Sequence, residues 1–308
     1  MKTKILTHFA LLYYAILLSQ NIVTDSSSYR ALQKDLTFLT NLELPRNYKN
    51  LSSLNKVADH IKQELIKVCD SVAFQSYKVK NQEYKNVVGS IGLNHKERII
   101  IGAHYDVYGD SAGADDNASG VIGLLELARL LAKEKLKYRI DFVFYTLEEP
   151  PFFRTKNMGS YIHAKYLHDK KLRIKGMICL ESIGYFSDNP NSQTYPIKEL
   201  SSIYGTRGNY ITVVQNNRKE KFSIKVSNLM IELKLIPTKL FIGSPKLTGV
   251  DFSDHLNYWK LGFEAVMITN TAFYRNQNYH TKKDTSETLD LKRLYLVVQQ
   301  IQQTLLRM

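Results

Sequence analysis

Residues 98–131 read RIIIGAHYDVYGDSAGADDNASGVIGLLELARLL and contain two different periodicities. The β-branched run at residues 98–103 is typical of a buried strand. After a polar turn, apolar residues recur at helical spacing, and Ser119 directly before them is predicted to be the N-cap. The residues on this apolar face are Val121, Leu124, Leu125, Ala128 and Leu131. A strand, a polar turn and a helix in succession are typical of an α/β fold.

The same alternation continues along the rest of the chain. Short apolar runs predict further strands at residues 86–91, 139–146, 175–180 and 265–269. Helical spacing predicts helices at residues 54–69, 158–168, 222–233 and 291–305, and a short one from residue 254. Residues 187–208, which are rich in Asn, Ser, Tyr and Gly, are predicted to be a loop insertion. The sequence thus predicts one α/β domain, residues 29–308, with a mixed, mostly parallel central sheet and helices on both faces.

Composition narrows the class of protein further. The chain has 308 residues with 44% hydrophobic and 23% charged residues, which is typical of a globular protein. Its 42 basic and 29 acidic residues give a net charge of +13, but the basic residues are scattered and no recognition motif accompanies them. We therefore predict a solvated basic surface and no nucleic-acid partner, with a basic nucleic-acid binder as the alternative. Two cysteines, Cys69 and Cys179, exclude a disulfide scaffold and a thiolate metal site but leave one isolated bridge open.

The first 28 residues resemble a targeting segment. Lys2 and Lys4 precede ten apolar residues at 9–18, and a polar stretch follows. This run fits a secretory signal and is shorter than the ~20 residues that span a bilayer. We therefore predict a signal peptide at residues 1–28 and a secreted or periplasmic protein. Because the cleavage site is poor, an uncleaved N-terminal anchor is one alternative, and a first core helix is another.

Polar side chains follow the predicted strands at the points where these end. In open α/β sheets the ligand crevice lies beyond the carboxyl ends of the strands. Each polar residue alone is explained by capping or by contact with solvent, but one crevice would gather five carboxylates and two imidazoles with no basic residue beside them. Such a cluster is costly unless it binds a cation or protons. Its members are His104, Asp106, Asp116, Glu148, Glu149, Glu181 and His280.

The types of these residues indicate the metal. Histidine and carboxylate ligands without thiolate suit zinc, manganese or cobalt, and catalytic sites of this kind favour zinc. Three carboxylate ligands and a bridging hydroxide would balance the charge of two Zn²⁺ ions, so the composition of the cluster favours two ions. A pair of ions of this kind suits amide hydrolysis, with one Glu of the Glu148–Glu149 pair left as the general base.

At this point the sequence resembles metallopeptidase family 28, the dizinc aminopeptidases that include bacterial leucyl aminopeptidase. The resemblance spans roughly residues 29–305 and lies in six motifs in the family's order. These are HYD at 104–106, GADDNASG at 113–120, EE at 148–149, ESIG at 181–184, SDH at 253–255, and YHT at 279–281 with DT at 284–285. It implies the zinc aminopeptidase fold, peptide substrates, and hydrolysis of N-terminal residues with two zinc ions per chain.

The resemblance also implies a role for each site residue. Asp116 bridges the two ions, and His104 and Glu181 complete the two different metal shells. Glu149 and His280 are ligands as well. Glu148 is the general base and later the proton donor to the leaving amine, and Asp106 orients His104 from behind.

Two departures from the family's pattern and two rival functions accompany this prediction. Some members have Asp in place of Glu181, and the Glu pair is followed here by Pro150 and two aromatic residues instead of a Gly-containing turn. Four aromatic residues are predicted either to line a pocket for an apolar N-terminal side chain or to pack at the rim of the crevice: Phe152, Phe153, Phe273 and Tyr274.

The two rival functions are a single-zinc enzyme similar to glutaminyl-peptide cyclotransferases and a non-catalytic interaction module on the same fold. The oligomeric state is not predicted.

Overall fold

The computed structural model of the protein describes residues 27–308, and within them the chain alternates between helices and strands. The helices are α1 Ser27–Thr40, α2 Leu51–Ile66, α3 Gly120–Leu131, α4 Gly159–Asp169, α5 Leu200–Tyr204, α6 Lys221–Leu233, α7 His255–Lys260 and α8 Leu291–Arg307. The strands are β1 Ser71–Val79, β2 Gln82–Ile91, β3 Arg98–His104, β4 Arg139–Tyr145, β5 Ile174–Glu181, β6 Ile211–Asn216, β7 Thr238–Gly243 and β8 Ala265–Thr269.

The strands form one eight-stranded mixed sheet in the order β1-β2-β4-β3-β5-β8-β6-β7. The four central strands, β4, β3, β5 and β8, are parallel to one another. β1 and β2 pair antiparallel on one side, and β6 pairs antiparallel with β8 on the other. The predicted fold class, a mixed and mostly parallel α/β sheet, is confirmed.

Helices cover both faces of the sheet. Alternate residues of β3 serve the two faces, because Ile99 and Ile101 belong to one core cluster and Ile100 to the other. The first cluster packs against α1, α2, α3, α6 and α8, and the second against α4 and α7. Since the central strands are buried on both faces, their sequences are apolar almost throughout, with Asp141 of β4 as an exception, which is why these strands could be predicted.

The parallel arrangement determines where the polar strand ends meet. The register pairs His104, at the end of β3, with Tyr145, at the end of β4. Likewise Glu181, at the end of β5, pairs with Thr269, at the end of β8. The carboxyl ends of four adjacent strands therefore lie side by side at one edge of the sheet.

Several local predictions differ from the structure. Ser119 directly precedes α3, in the predicted N-cap position, but its side chain makes no capping hydrogen bond. It ends an irregular turn, Ala114–Ser119, and its hydroxyl donates to the Asp115 carbonyl oxygen at 2.7 Å. Three strands were not predicted. Strands β1 and β7 lie at the edges of the sheet and consist mostly of partly exposed residues, and β6, with the sequence ITVVQN, is half polar. The predicted loop at 187–208 contains the short helix α5. The two cysteines are not bonded to each other, so the isolated bridge left open by the sequence is absent.

The predicted signal peptide or anchor at residues 1–28 lies almost wholly outside the described residues. Its last two residues, Ser27 and Ser28, already belong to α1. Among the helices at 27–308, none is both long and apolar enough to cross a membrane.

Candidate metal centre

Asp116 lies between two histidine side chains. Its Oδ1 is 3.3 Å from Nε2 of His104, and its Oδ2 is 3.0 Å from Nε2 of His280. Oε2 of Glu181 is 3.2 Å from the His104 nitrogen, and Oε2 of Glu149 is 3.3 Å from the His280 nitrogen. The five predicted metal ligands therefore come together as two groups of three that share one carboxylate.

These distances suit metal coordination. With bonds of about 2.0–2.1 Å, two ligand atoms at the corners of a tetrahedron are about 3.3–3.4 Å apart. Nε2 of His280 and Oε1 of Glu149 are also buried and have no hydrogen-bond partner among residues 27–308. Buried polar atoms in folded proteins are normally paired. The cluster therefore has the donor types, spacing and unpaired atoms that a divalent cation requires.

His104 is oriented by the backbone that follows it. Its Nδ1 lies 3.2 Å from the Asp106 carbonyl oxygen. Because a carbonyl can only accept, this contact places the proton of the neutral ring on Nδ1 and leaves the Nε2 lone pair facing Asp116 and Glu181. The sequence predicted that the Asp106 carboxylate orients His104, whereas in the structure the hydrogen-bonded partner of this ring is the Asp106 carbonyl group.

The Asp106 carboxylate has a different task. Its Oδ1 is 3.6 Å from Nδ1 of His104, beyond hydrogen-bond distance. Its two oxygens instead accept the backbone N–H groups of Glu148 and Glu149, at 3.2 and 3.1 Å. The Asp106 side chain therefore fixes the turn that carries the Glu pair, at the end of the neighbouring strand β4.

A second aspartate fixes the turn that carries Asp116. The two oxygens of Asp284 accept the backbone N–H groups of Asp115 and Asp116 at 2.9 and 3.1 Å. The side chain of Asp115 is not directed at the cluster, since it accepts from the backbone N–H groups of Gly184 and Tyr185, both at 3.0 Å. The two adjacent aspartates therefore differ in role: Asp115 ties loops together, and Asp116 faces the histidines.

Glu181 is held by two hydroxyl groups. Ser182 Oγ donates to its Oε1 at 2.9 Å, and Ser253 Oγ donates to its Oε2 at 2.8 Å.

The prediction that His104 and Glu181 belong to different metal shells does not agree with the positions of these two side chains. Both lie on the Oδ1 side of Asp116, because they end the adjacent parallel strands β3 and β5.

The His280 ring is fixed by aromatic stacking. Tyr108 and Tyr279 stack on it, with ring centroids at 4.2 and 3.8 Å and interplanar angles of 6° and 14°. Tyr108 comes from the loop after β3 and is about half exposed. These aromatic partners hold the imidazole in place although no regular element carries it.

The buried charges shift the pKa values of the cluster. Burial raises the pKa of Glu148 well above its ordinary value, although His104 opposes this. Burial and then the charge of Asp116 raise the pKa of Glu149 to about 8. Burial alone would lower the pKa of His280, but Asp116 and Glu149 outweigh it and raise that pKa to about 10. Without a cation the cluster therefore holds protons that a metal ion would displace.

The sequence missed one basic residue at this cluster. We expected no basic side chain beside the strand ends, but Arg46, from the segment between α1 and α2, is fully buried behind them. Burial lowers its pKa to about 10, and attraction to Asp284, Asp116 and Asp106 opposes that shift. Its separation of 58 residues from His104 gave no local sequence signal.

A second group of metal-ligand residue types lies between α1 and α2. Asp35, His60 and Glu64 come close enough to hold an ion. Arg129, however, lies 2.7 Å from Asp35 Oδ2 and 3.1 Å from Glu64 Oε2. Because its guanidinium already neutralises these carboxylates, we interpret this group as an ion-pair network that joins α1, α2 and α3.

An apolar pocket opens beside Glu181. Aromatic rings make up much of its wall, which includes Phe241, Phe252, Phe273, Tyr274 and Tyr279. Of the four aromatic residues predicted for this role, Phe273 and Tyr274 do line the pocket. Phe152 and Phe153 do not: Phe152 contacts the ring of Tyr48 edge-on at 5.4 Å, and Phe153 contacts Phe252 at 5.7 Å.

Comparison with known families identifies the chain at this point. The sequence model of peptidase family M28 matches residues 86–305, well over half of the chain. The chain belongs to peptidase family M28. The resemblance found in the motifs is therefore confirmed, and the function is that of a metal-dependent, peptidase-like enzyme.

Two curated proteins are similar to this chain in sequence. The uncharacterized protein YfbL of Escherichia coli (strain K12) is 39% identical over 280 residues, which are 88% of this chain and 86% of that protein. Leucine aminopeptidase 1 of Ajellomyces dermatitidis is 24% identical over 81% of this chain and 63% of that protein.

Among solved structures, the LapA aminopeptidase of Legionella pneumophila aligns with a TM-score of 0.71 and 19% identity, covering 92% of this chain and 72% of that one. A glutaminyl cyclase of Bacteroides thetaiotaomicron aligns with a TM-score of 0.67 and 18% identity, covering 92% and 97%. These structures share the fold of this M28 protein.

The pKa shifts predict how pH affects the metal-free protein. His280 stabilises the fold fully below its ordinary pKa of 6.5, and this contribution is lost as pH rises through about 10. The raised pKa of Glu149 acts in the same direction. Between pH 4.5 and about 8 this carboxyl group holds a proton in the folded protein but not in the unfolded chain, so the free energy of unfolding falls as pH rises through that range. Urea unfolding with a chelator present should therefore give a free energy of unfolding that falls from pH 6.5 to 10.

Glu149→Gln is the control for this measurement. An amide cannot titrate, so the decline through about pH 8 should be smaller in this variant than in the wild type. A wild-type free energy that stays level or rises over this pH range would contradict the prediction.

Proposed function

We propose that this M28 protein is an aminopeptidase that removes N-terminal residues from peptides with two zinc ions and a Glu general base. The observation that carries the proposal is the position of Asp116, whose two oxygens face the Nε2 atoms of His104 and His280 at 3.3 and 3.0 Å. A carboxylate shared in this way suits a bridging ligand between two ions.

Each ion would be held by three side chains. One group is His104, Asp116 and Glu181, and the other is His280, Asp116 and Glu149. Such a pair of ions supplies Lewis acidity, which polarises a carbonyl group and makes a water molecule more acidic. The spacing and the imidazole and carboxylate donors support zinc in both positions, and the unpaired buried atoms of His280 and Glu149 add support for the second.

Glu148 is the residue that would move protons. Its Oε2 lies 4.0 Å from Nε2 of His104, so the side chain borders the cluster without joining either group of three. Burial raises its pKa, which favours a carboxyl group that can keep a proton after taking it from water. We propose that Glu148 accepts this proton as general base and then donates it to the leaving amine.

The names of relatives and neighbours support action at the amino terminus. Leucine aminopeptidase 1 of Ajellomyces dermatitidis and the LapA aminopeptidase of Legionella pneumophila carry this activity in their names. The aromatic pocket beside Glu181 would take the first side chain of the peptide, and its apolar wall favours an apolar one. Residues 29–308 would form the peptidase domain, and we propose from the sequence that residues 1–28 direct the protein to a secreted or periplasmic location.

Glutaminyl cyclase activity is the second candidate, because a glutaminyl cyclase of Bacteroides thetaiotaomicron shares the fold. The metal content separates the two. Retention of Glu181 beside His104 favours two ions, and a fully loaded protein with close to one zinc ion per chain would contradict the dizinc proposal.

A panel of aminoacyl-anilides tests the proposed activity. Substrates with a free amino group and an apolar side chain should be cleaved, N-acetylated versions should not, and chelation followed by zinc addition should abolish and restore cleavage. Equal cleavage of blocked and free substrates would argue against an aminopeptidase.

Glu148→Gln tests the general base. An amide cannot accept the proton, so kcat should fall by ~10²–10⁴-fold while zinc content stays unchanged. Glu126→Gln is the matched control, since Glu126 is also buried but pairs with Arg129 away from the cluster. Loss of zinc from Glu148→Gln would mean that the roles of Glu148 and Glu149 are exchanged.

His280→Ala tests the ligand groups. Removal of this imidazole should empty or weaken one of the two zinc sites, as measured by metal content after dialysis. His163→Ala is the control, because His163 is buried and bonds to the Tyr258 hydroxyl at 2.7 Å outside the cluster. Full occupancy of both sites in His280→Ala would remove this residue from the ligands.

A further inference from the structure

We propose that Arg46 is a positioning residue of the metal centre, which holds the loop between His104 and Asp116 in the shape that lets both face one ion. This inference rests on the proposed dizinc function and extends it to a part of the chain before residue 86, where the family match begins.

The guanidinium group of Arg46 binds this loop at several points. Its Nε donates to the Tyr105 carbonyl oxygen at 2.8 Å, directly after His104. Its Nη1 and Nη2 donate to the carbonyl oxygens of Ala112 and Gly113 at 2.5 and 2.7 Å, just before the turn that carries Asp116. One planar side chain therefore joins the two ends of the loop.

The same side chain anchors the loop to the helical layer. Nη1 also donates to the Leu39 carbonyl oxygen of α1 at 2.9 Å. All four acceptors of Arg46 are main-chain carbonyl groups, and no carboxylate of residues 27–308 forms an ion pair with it. A rigid fork with five N–H donors suits this task, whereas the single ammonium group of lysine does not.

The loop is shaped around the guanidinium. Gly113 has a φ of +59°, and a Cβ atom there would lie 3.0 Å from Nη2 of Arg46 and 2.4 Å from the Asp116 carbonyl oxygen. The positive φ and the close approach of Val107 Cγ1, at 2.3 Å from that Cβ position, and of the Asp116 carbonyl require glycine here, and the Arg46 guanidinium packs against the space that glycine leaves. The positions of Arg46, Gly113 and Asp116 depend on one another.

The neighbours of Arg46 strengthen the attachment. Its own carbonyl oxygen accepts the N–H of Val107 at 3.2 Å, and Nδ2 of Asn47 donates to the Gly109 carbonyl oxygen at 2.6 Å. Residues 46–47 therefore hold the loop at its start, middle and end.

The two ions should not be affected equally. His104 and Asp116, at the ends of the clamped loop, both belong to the group that contains Glu181. Asp116 is shared with the other group, but the remaining two ligands of that group, His280 and Glu149, come from other loops, which Arg46 does not bond. Loss of the clamp should therefore weaken the ion beside His104 and Glu181 more than the other ion.

Metal titration of the purified protein tests this inference. Zinc affinity of the chelator-stripped full chain is measured by competition with a chromophoric chelator for the wild type, R46K and R46Q. Cobalt absorption reports the coordination of each ion, and thermal unfolding of the metal-free forms reports stability. The control is R129Q, because Arg129 holds α1 and α2 through Asp35 and Glu64 but makes no bond to residues 104–116.

We expect R46Q to lower the affinity of one zinc ion by roughly 10–100-fold, the usual effect of losing an outer partner of a ligand. R46K should show a smaller loss in the same ion, with a changed cobalt spectrum, and R129Q should lose thermal stability only. Unchanged affinity and spectra in R46Q, or equal losses in R46Q and R129Q, would overturn the inference. If R46Q does not fold, the same criteria apply to R46K.

The wild-type titration keeps this inference separate from the proposed function. A wild type that binds only one ion would contradict the dizinc proposal. The ratio of affinities between the Arg46 variants and the wild type would still decide whether Arg46 positions the ligands.

Discussion

Repulsion between buried carboxylates is the constraint on which the site depends. Asp116, Glu148, Glu149 and Glu181 are each at most 6% exposed, and they share one crevice with two imidazoles. Like charges in such a setting are stable only with bound cations or protons. The raised pKa of Glu149 shows that, without a cation, this carboxyl group binds a proton. The surrounding structure holds these groups together against that repulsion. It does so with hydroxyl groups bonded to Glu181, with aromatic rings stacked on His280, and with two further carboxylates, those of Asp106 and Asp284, which are bonded to backbone N–H groups.

The sheet supplies the first part of that support. Because β3, β4 and β5 are neighbouring parallel strands, the residues that follow them in sequence all lie at one edge of the sheet. Each strand end is then fixed from an adjacent one: the Asp106 carboxylate, after β3, binds the backbone of the Glu pair after β4. The precision of the cluster therefore comes from bonds between loops, and the strands set only their approximate position.

This division explains what the sequence could predict. Strand ends are local features, so five of the polar residues were found from the apolar runs that precede them, and the central strands from their apolar sequences. Asp116 and His280 were instead found before the helices that follow them. The grouping of His104 with Glu181 depends on β5 lying next to β3, which no local pattern encodes. The same limit applies to the edge strands β1 and β7, and to Phe152, whose ring packs on Tyr48 from a distant segment. Ser119 occupies the predicted N-cap position but does not cap the helix, because its hydroxyl donates to the Asp115 carbonyl within an irregular turn.

Arg46 illustrates how an arginine can support a metal site without bonding to the metal ligands themselves. A guanidinium bonded directly to Asp116 would occupy the lone pairs that coordinate an ion, as Arg129 does for Asp35 and Glu64 in the second acidic group. Arg46 donates its hydrogen bonds to carbonyl groups. Its positive charge therefore still stabilises the charged form of the nearby carboxylates, and their oxygens stay free to coordinate an ion. The two acidic groups thus differ in the partner of their arginine. Arg129 binds the carboxylates of Asp35 and Glu64, so their charges are already balanced. Arg46 binds the backbone, so the carboxylates beside it need ions from solution to balance their charge.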